Sequence, residues 1–173
     1  METWDAIRSR RNIRHYLPGE ISSENLDRIL QAGWRTPSSR NEQRWDFVVC
    51  TDRRQLTELS GVWRGAWHVA SSAATIAIVA PTTDDPAVRE SIQYDLGQLT
   101  MAMMLAATDL GIGTGHAYVE NQGLARRVLG LPQDRFCAWL LALGYPADRP
   151  LAPIRRPNRR PFEDVVRWER WLP

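Results

Sequence analysis

The chain of 173 residues contains no lysine, so arginine provides all 22 of its positively charged side chains. Arginine stays charged and presents a planar set of donors to phosphate or carboxylate, which favours anion binding, although compositional drift produces the same inventory. Two clusters occur, one near each end of the chain: Arg8, Arg10, Arg11 and Arg14, and then Arg155, Arg156, Arg159 and Arg160. Either the two clusters converge on one anion or both lie on the solvated surface.

Long apolar runs are also missing. No stretch approaches the roughly 18 residues that a membrane-spanning helix requires. The first segment, METWDAIRSRRN, is charged and lacks the apolar core of a signal peptide. We therefore expect a cytoplasmic protein without a membrane partner.

Cysteine and histidine are scarce, with two and three residues respectively. Cys50 and Cys137 each lie in an apolar, strand-like run and not in a paired metal or redox spacing, which predicts two buried free thiols. The histidines, His15, His68 and His116, show no ligand spacing. We expect no metal site.

Several catalytic and nucleotide-binding signatures are absent as well. There is no P-loop, and the GIGTG segment at 111–115 follows a predicted helix, whereas the glycines of a dinucleotide-binding fingerprint follow a strand. No GxSxG nucleophile elbow occurs, although a Ser-His-Asp assembly from distant residues stays open. Classical dinucleotide binding is not expected.

The composition, 43% apolar and 24% charged, is that of an ordinary globular protein, and the length predicts a single domain over 1–173. Helical and strand-like patterns alternate along the chain. Predicted helices run from Ser22 or Ser23 to the segment before Pro37 and cover 53–60, 86–110 and 122–129, while predicted strands cover 45–50, 71–81, 114–119 and 136–143. The longest helix contains Met101, Met103 and Met104, which are predicted to fill the core. This order predicts an α+β fold with a sheet flanked by helices.

Two short segments concentrate polar side chains suited to ligand binding. The first, RSRRNIRHY, supplies strong donors within two turns: Arg10, Arg11, Asn12 and Arg14. The second, TPSSRNEQRW, is a helix-breaking loop with small polar residues: Pro37, Ser38, Ser39, Asn41 and Gln43. Taken singly, the first segment is more typical of a solvated basic helix end or loop, and the second of a turn with local hydrogen bonds.

Taken in order, these segments resemble the nitroreductase family of flavoproteins. The family pattern begins with an Arg-Arg-Ser-Ile-Arg-x-Phe run, which is RRNIRHY here. It continues with Ala-Pro-Ser-x-x-Asn-x-Gln-Pro-Trp and a Phe-Val-Val strand, which correspond to TPSSRNEQRW and DFVV. Later matches are DLGIGTGHAYV, LGLP at 129–132, LGYP at 143–146 and RRPFEDV at 159–165. The resemblance spans nearly the whole chain.

The resemblance implies a central, mainly antiparallel sheet flanked by helices, in a homodimer that binds FMN at the subunit interface. The implied cofactor-binding residues are Arg10, Arg11, Asn12, Arg14, Pro37, Ser38, Ser39, Asn41, His116, Ala117, Tyr118, Arg159 and Arg160. In the family pattern, Arg10 and Arg159 or Arg160 would bind the phosphate, and Arg14 would lie toward the ribityl chain and the N1/O2 edge. The loop at 37–41 would approach from the other subunit, and 116–119 would pass the ring near N5, mainly through backbone groups.

The activity that the resemblance implies is transfer of hydride or electrons from NAD(P)H through FMN to a nitroaromatic, a quinone or a related small acceptor. The cofactor performs the chemistry, so no dedicated catalytic residue is expected. Related flavin chemistries (flavin fragmentation, dehalogenation, desaturation) and a non-catalytic flavin-storing protein are the alternatives. A nucleic-acid binder is disfavoured by the net charge of only +2 and by the absence of a binding motif.

Three features bear on substrate and assembly. Asn12 replaces the usual serine of the family, and Arg44 stands where the family commonly has proline, which brings a charge near the expected cavity. The segment 147–173 is rich in proline and arginine and is predicted to be an extended tail that contacts the partner subunit. Trp168 and Trp171 in this tail suit a partner's groove better than their own core.

Overall fold

The structure, a computed structural model, describes residues 1–171. The helices are α1 (Thr3–Ser9), α2 (Ser23–Trp34), α3 (Arg53–Leu59), α4 (Pro86–Asp109), α5 (Gln122–Leu129) and α6 (Phe162–Val165). The strands are β1 (Asp46–Cys50), β2 (Ala74–Pro81), β3 (Gly113–Tyr118) and β4 (Arg135–Gly144). Short 3-10 helices cover Ser39–Asn41, Ser60–Val62 and Arg64–Ser71.

The four strands form one sheet in the order β1-β2-β4-β3, and every neighbouring pair is antiparallel. The predicted α+β fold with a mainly antiparallel sheet is therefore confirmed. β2 and β4 lie in the middle, where both faces are covered, which explains why β2 is an almost unbroken apolar run. β3 is an edge strand, and its position at the edge matters for the site described below.

Alternate residues of the sheet enter two hydrophobic cores. On one face, Ile76 and Leu141 pack with Leu99 of α4, and on the other face Leu140 packs in a cluster with Leu56 of α3. The two cysteines are buried free thiols in the second cluster, as predicted. Burial raises the pKa of Cys50 to about 11 and that of Cys137 to about 12, so both thiols are unreactive at neutral pH.

Helix α4 is the longest element and follows the predicted bounds closely. Asp85 caps its first turn by accepting hydrogen bonds from two backbone N–H groups, and Pro86 occupies the first turn. The prediction that all three methionines fill the core is wrong for Met101, which is 45% exposed, whereas Met103 and Met104 are buried. Because successive helical residues rotate by about 100°, Met101 faces away from the sheet.

The first part of the chain covers the open edge of β3. After α1 the backbone becomes extended, and the Ile13 N–H donates to the Thr114 carbonyl at 2.8 Å. Gly115 makes this approach possible, because a Cβ atom there would lie 2.4 Å from the Ile13 carbonyl oxygen. An edge strand that would otherwise expose unpaired backbone groups is thereby protected.

The tail returns along the same side of the molecule. Residues 147–161 have no regular structure, and the Ile154 N–H donates to the Arg8 carbonyl at 3.0 Å. Beyond it, Phe162, Trp168 and Trp171 are exposed aromatic side chains. The last two residues of the predicted tail, 172 and 173, lie outside the described residues. Within residues 1–171, no helix has the length and apolar character needed to cross a membrane.

Candidate functional site

The two arginine clusters converge. Arg10 follows α1 and Arg159 lies in the tail, and both line a cavity of about 690 Å³ together with Met101 and Leu105 of α4. Partial burial lowers the pKa of the Arg10 guanidinium, and the nearby positive charge of Arg159 lowers it further. Two cations from opposite ends of the chain therefore share one cavity.

Arg8 and Arg155 also line this cavity, and the arginines in and near it differ in whether a described carboxylate balances their charge. Over residues 1–171, none of Arg10, Arg14, Arg159 and Arg160 forms an ion pair with a carboxylate, whereas Arg8 pairs with Asp5 at 2.5 Å. Like charges held close together are unfavourable unless an anion binds between them. The arrangement is that of an anion-binding site.

A second cavity, of about 460 Å³, adjoins β3 and α4. It is lined by His116, Trp139, Thr100 and Met104, among others, and the His116 and Trp139 rings lie 6.2 Å apart. Burial lowers the pKa of His116, and the positive charges of Arg10 and Arg14 lower it further. The imidazole is therefore neutral at pH 7, and both arginines act on the same edge of β3.

The side chains of Tyr16 and His68 contact the backbone of Ile13 and of Gly115 in β3. The Tyr16 hydroxyl donates to the Ile13 carbonyl at 2.8 Å, and His68 Nε2 lies 3.4 Å from the Gly115 carbonyl oxygen. A carbonyl only accepts, so this contact is a hydrogen bond in the tautomer that carries its proton on Nε2, and burial lowers the pKa of His68 so that the ring stays neutral. The two bonds hold the residues immediately before Arg14 and His116.

The side chains of Ala117 and Tyr118, which follow His116 in β3, have different surroundings. Ala117 is buried in the core on the face opposite His116, so its side chain does not reach the cavity and only its backbone is available. Tyr118 is half-exposed and stacks edge-on with Trp63 and Trp139, at ring distances of 6.1 and 5.9 Å. Together these aromatic rings form one wall at the end of β3.

Residues of the segment RRNIRHY make different contacts. Arg11 donates to the Ser9 and Ala152 carbonyls, so part of its guanidinium fixes the tail to the start of the chain. Asn12 forms a bridge with Thr114 beside the edge of β3. Arg160 in the tail is exposed. The assignment of all three to the cofactor stays a prediction.

The serine-asparagine loop has an unusual backbone. Arg40, Asn41 and Gln43 all have positive φ angles, of 53°, 55° and 51°. The Ser38 hydroxyl oxygen accepts from the Gln43 N–H at 3.0 Å, which closes the loop. Three non-glycine residues in the left-handed region cost roughly 1 kcal/mol or more each, and such strain is typical of functional sites.

Asp95 of α4 supports this loop, and sequence reasoning missed it. The Ser39 N–H donates to both carboxylate oxygens of Asp95, at 3.2 and 3.1 Å. A single acidic residue in a helical pattern gives no sequence signal of such a contact, because its partner is 56 residues away. His68 and Tyr16 were missed for the same reason.

Within one protomer, the loop and the arginines lie at different positions along α4. Ser38 and Ser39 line a cavity with Tyr94 and Asp95, whereas Arg10 and Arg159 adjoin Met101 and Leu105. Pro37 also lines a separate cavity that extends to Met101 and Leu105. At a helical rise of 1.5 Å per residue, these positions differ by roughly 9–17 Å along the axis. The predicted contact of the loop with a cofactor in the other subunit stays a prediction.

The charge of Arg44 is balanced locally, and the described residues contain no metal-binding cluster. Arg44, which stands where the family commonly has proline, forms an ion pair with Glu42, so its charge is balanced within the loop. Among residues 1–171 there is no group of three or more His, Cys, Asp or Glu side chains that could hold a metal ion.

Comparison with known proteins identifies the family. The model of the nitroreductase family matches residues 7–91. A protein of Archaeoglobus fulgidus, provisionally named an NADH dehydrogenase/NAD(P)H nitroreductase, is 32% identical over 146 residues, which are 82% of this chain and 84% of the relative. The chain belongs to the nitroreductase family.

Two further comparisons agree with this result. The FMN reductase (NAD(P)H) of Bacillus subtilis is 25% identical over 176 residues, covering 91% of this chain and 71% of the relative. The crystal structure of nitroreductase A from Vibrio parahaemolyticus superposes with a TM-score of 0.88 at 24% identity, covering 100% of this chain and 78% of the other. The nitroreductase fold inferred from the sequence motifs is thereby confirmed.

Proposed function

We propose that this nitroreductase-family protein binds FMN and uses it to transfer electrons from NAD(P)H to a small organic acceptor such as a nitroaromatic or a quinone. The observation that supports the proposal best is the convergence of Arg10 and Arg159, two cations without a carboxylate partner among the described residues, beside a largely apolar cavity. The name of the Bacillus subtilis relative, an FMN reductase, supports the choice of cofactor.

The residues fit FMN in charge and in shape. Arg10 and Arg159 would bind the phosphate, because guanidinium groups form paired, charge-assisted hydrogen bonds with phosphate oxygens. The cavity beside His116 and Trp139 offers an apolar and aromatic wall for a flat ring. Arg14, whose charge acts on His116, would lie toward the polar edge of the ring.

When bound, FMN supplies hydride and electron transfer through its ring. The chain's own residues bind, orient and shield the cofactor. Arg14 supplies positive charge where negative charge develops on reduction. His68 and Tyr16 hold the backbone that positions Arg14 and His116, and both of these supporting groups are neutral at pH 7, since burial raises the pKa of Tyr16 and lowers that of His68.

A homodimer belongs to the same proposal. In the single chain the loop at 37–41 and the arginine pair line different cavities, and a second copy would bring a loop to each arginine site. Exposed apolar side chains on α4 and the tail supply a surface for the second copy: Tyr94, Met101, Phe162, Trp168 and Trp171. Burial of such aromatic side chains is a common source of binding energy at interfaces.

Anaerobic reduction of the purified protein tests the proposal. We expect a yellow protein that retains FMN through gel filtration as a dimer, and whose flavin absorbance bleaches on addition of NADPH or NADH. Reoxidation by a nitroaromatic or a quinone would then identify the acceptor class. A colourless protein that does not bind added FMN contradicts the proposal, and bound flavin that neither nicotinamide reduces indicates a storage protein.

Arg14→Ala should lower the reduction potential of bound FMN by roughly 20–60 mV, because the positive charge that favours the reduced cofactor is lost. Spectroelectrochemical titration measures this change. Arg127→Ala is the matched control, since Arg127 lies exposed on α5, away from both cavities. A potential equal to that of the unmodified protein would remove this role from Arg14.

A further inference from the structure

Asp95 is a buried carboxylate whose task the proposed function does not yet include. Its side chain lies on α4 and only 3% of the residue is exposed. Within residues 1–171 it forms no ion pair with an arginine, and its two oxygens accept from one backbone group, the Ser39 N–H. A charged group is unfavourable in such a position unless its hydrogen bonds are maintained.

The contact is placed at the start of the strained part of the loop. Ser39 is the first residue of the 3-10 helix Ser39–Asn41, and the left-handed residues Arg40 and Asn41 follow it directly. Backbone conformations of this kind persist only where surrounding contacts over-determine them. Asp95 supplies the contact from outside the loop, whereas the bond from Gln43 to Ser38 lies inside it.

The contact also determines which groups of the loop remain for a ligand. The Ser39 N–H is occupied by Asp95, and the Ser38 hydroxyl oxygen accepts from Gln43. These bonds do not use the Ser39 hydroxyl, the Arg40 guanidinium or the Asn41 amide. Their direction depends on the backbone that Asp95 holds.

We propose that Asp95 is a positioning residue, whose carboxylate holds the Ser39–Asn41 helix in the conformation that binds the FMN of the other subunit. This inference rests on the proposed function. The carboxylate does not touch the cofactor in this scheme. It accepts a hydrogen bond from the Ser39 N–H, and this bond keeps the loop in the conformation that binds the cofactor.

Three variants at one position separate this role from general stability. Asp95→Ala removes both acceptor oxygens, whereas Asp95→Asn has nearly the same shape and keeps one acceptor for the Ser39 N–H. Asp27→Asn is the control, because Asp27 is an exposed carboxylate on α2 that lines neither the cavity of the loop nor the arginine cavity. If Asp95→Ala does not fold, Asp95→Leu removes the acceptors while filling the space.

The first measurement is the dissociation constant of FMN, obtained by fluorescence titration of each folded variant. We expect Asp95→Ala or Asp95→Leu to weaken binding by about 10-fold or more, and Asp95→Asn and Asp27→Asn to remain within about threefold of the unmodified protein. Equal affinity in all variants overturns the proposal, as does equal loss in Asp95→Asn and Asp95→Ala.

The second measurement is hydrogen exchange of segment 38–43 in the cofactor-free protein. We expect faster exchange in this segment for Asp95→Ala, with the strands still protected, and near-normal exchange for Asp95→Asn. Unchanged exchange in Asp95→Ala overturns the proposal. If the unmodified protein binds no FMN, the proposed function fails and the cofactor part of this inference fails with it, while exchange still decides whether Asp95 holds the loop.

Discussion

Arg10→Ala and Arg159→Ala should each weaken FMN binding by roughly 10- to 100-fold, and the double variant should retain no FMN through gel filtration. Each substitution removes charge-assisted hydrogen bonds to the phosphate, which contribute roughly 1.5–3 kcal/mol apiece. A factor of 10 in affinity corresponds to about 1.4 kcal/mol. Titration of the cofactor-free protein with FMN, followed by fluorescence, gives the dissociation constants.

The same substitutions should have the opposite effect on the protein without cofactor. Burial lowers the pKa of Arg10, and the nearby charge of Arg159 lowers it further, so removing either cation relieves repulsion in the folded chain. Thermal unfolding of the cofactor-free variants should therefore occur at or above the temperature of the unmodified protein, while stabilisation by added FMN is lost.

Arg127→Ala is the matched control for both measurements, because it removes one arginine from an exposed helix without touching the arginine cavity. It should bind FMN normally. Normal FMN affinity in both Arg10→Ala and Arg159→Ala would show that the convergence of the two clusters is not a phosphate site. Equal weakening in Arg127→Ala would indicate that overall charge, and not the site, determines the affinity.

Gly115→Ala should lower the free energy of unfolding by roughly 3 kcal/mol. The added Cβ would lie 2.4 Å from the Ile13 carbonyl oxygen and 3.0 Å from both His68 Nε2 and the Tyr16 hydroxyl. The nearest of these atoms is backbone, so the chain itself must move and the segment that contains Arg14 must separate from β3. Urea unfolding monitored by tryptophan fluorescence measures the change.

Gly123→Ala provides the comparison. Gly123 is exposed in the first turn of α5, where an added Cβ would come no closer than 3.5 Å to the Asn121 side-chain oxygen. Alanine is a better helix former than glycine, so this variant should be as stable as the unmodified protein or slightly more stable. If the two alanine variants have the same urea midpoint, the tight approach of Ile13 to β3 does not contribute to stability.

Local patterns in the sequence were sufficient to predict most of the regular structure. The cap at Ser22, the Asp85-Pro86 start of α4 and the apolar run of β2 each specify their element through residues a few positions apart. Such signals are physical properties of a short segment and need no tertiary context. The predicted bounds therefore lie within one to three residues of those observed.

Elements without a strong local pattern were not predicted. Helix α1 has only seven residues, and Trp4 and Ile7 on it are exposed, so its apolar positions do not mark a core face. The 3-10 helix Arg64–Ser71 contains Trp67, four residues after Trp63, and this spacing is equally typical of an α-helix. In both segments, contacts with the rest of the fold decide the conformation.

By itself, the sequence determined the family motifs, and these predict a cofactor site from Arg10, Arg14, Arg159 or Arg160 and the segment 37–41. Only the tertiary structure decided that Arg10 and Arg159 share a cavity and that Asp95 holds Ser39. The sequence, which has no lysine, shows two arginine clusters but does not show that they lie close together in the fold. Charges 149 residues apart come together through the return path of the tail, and no local pattern encodes such a path.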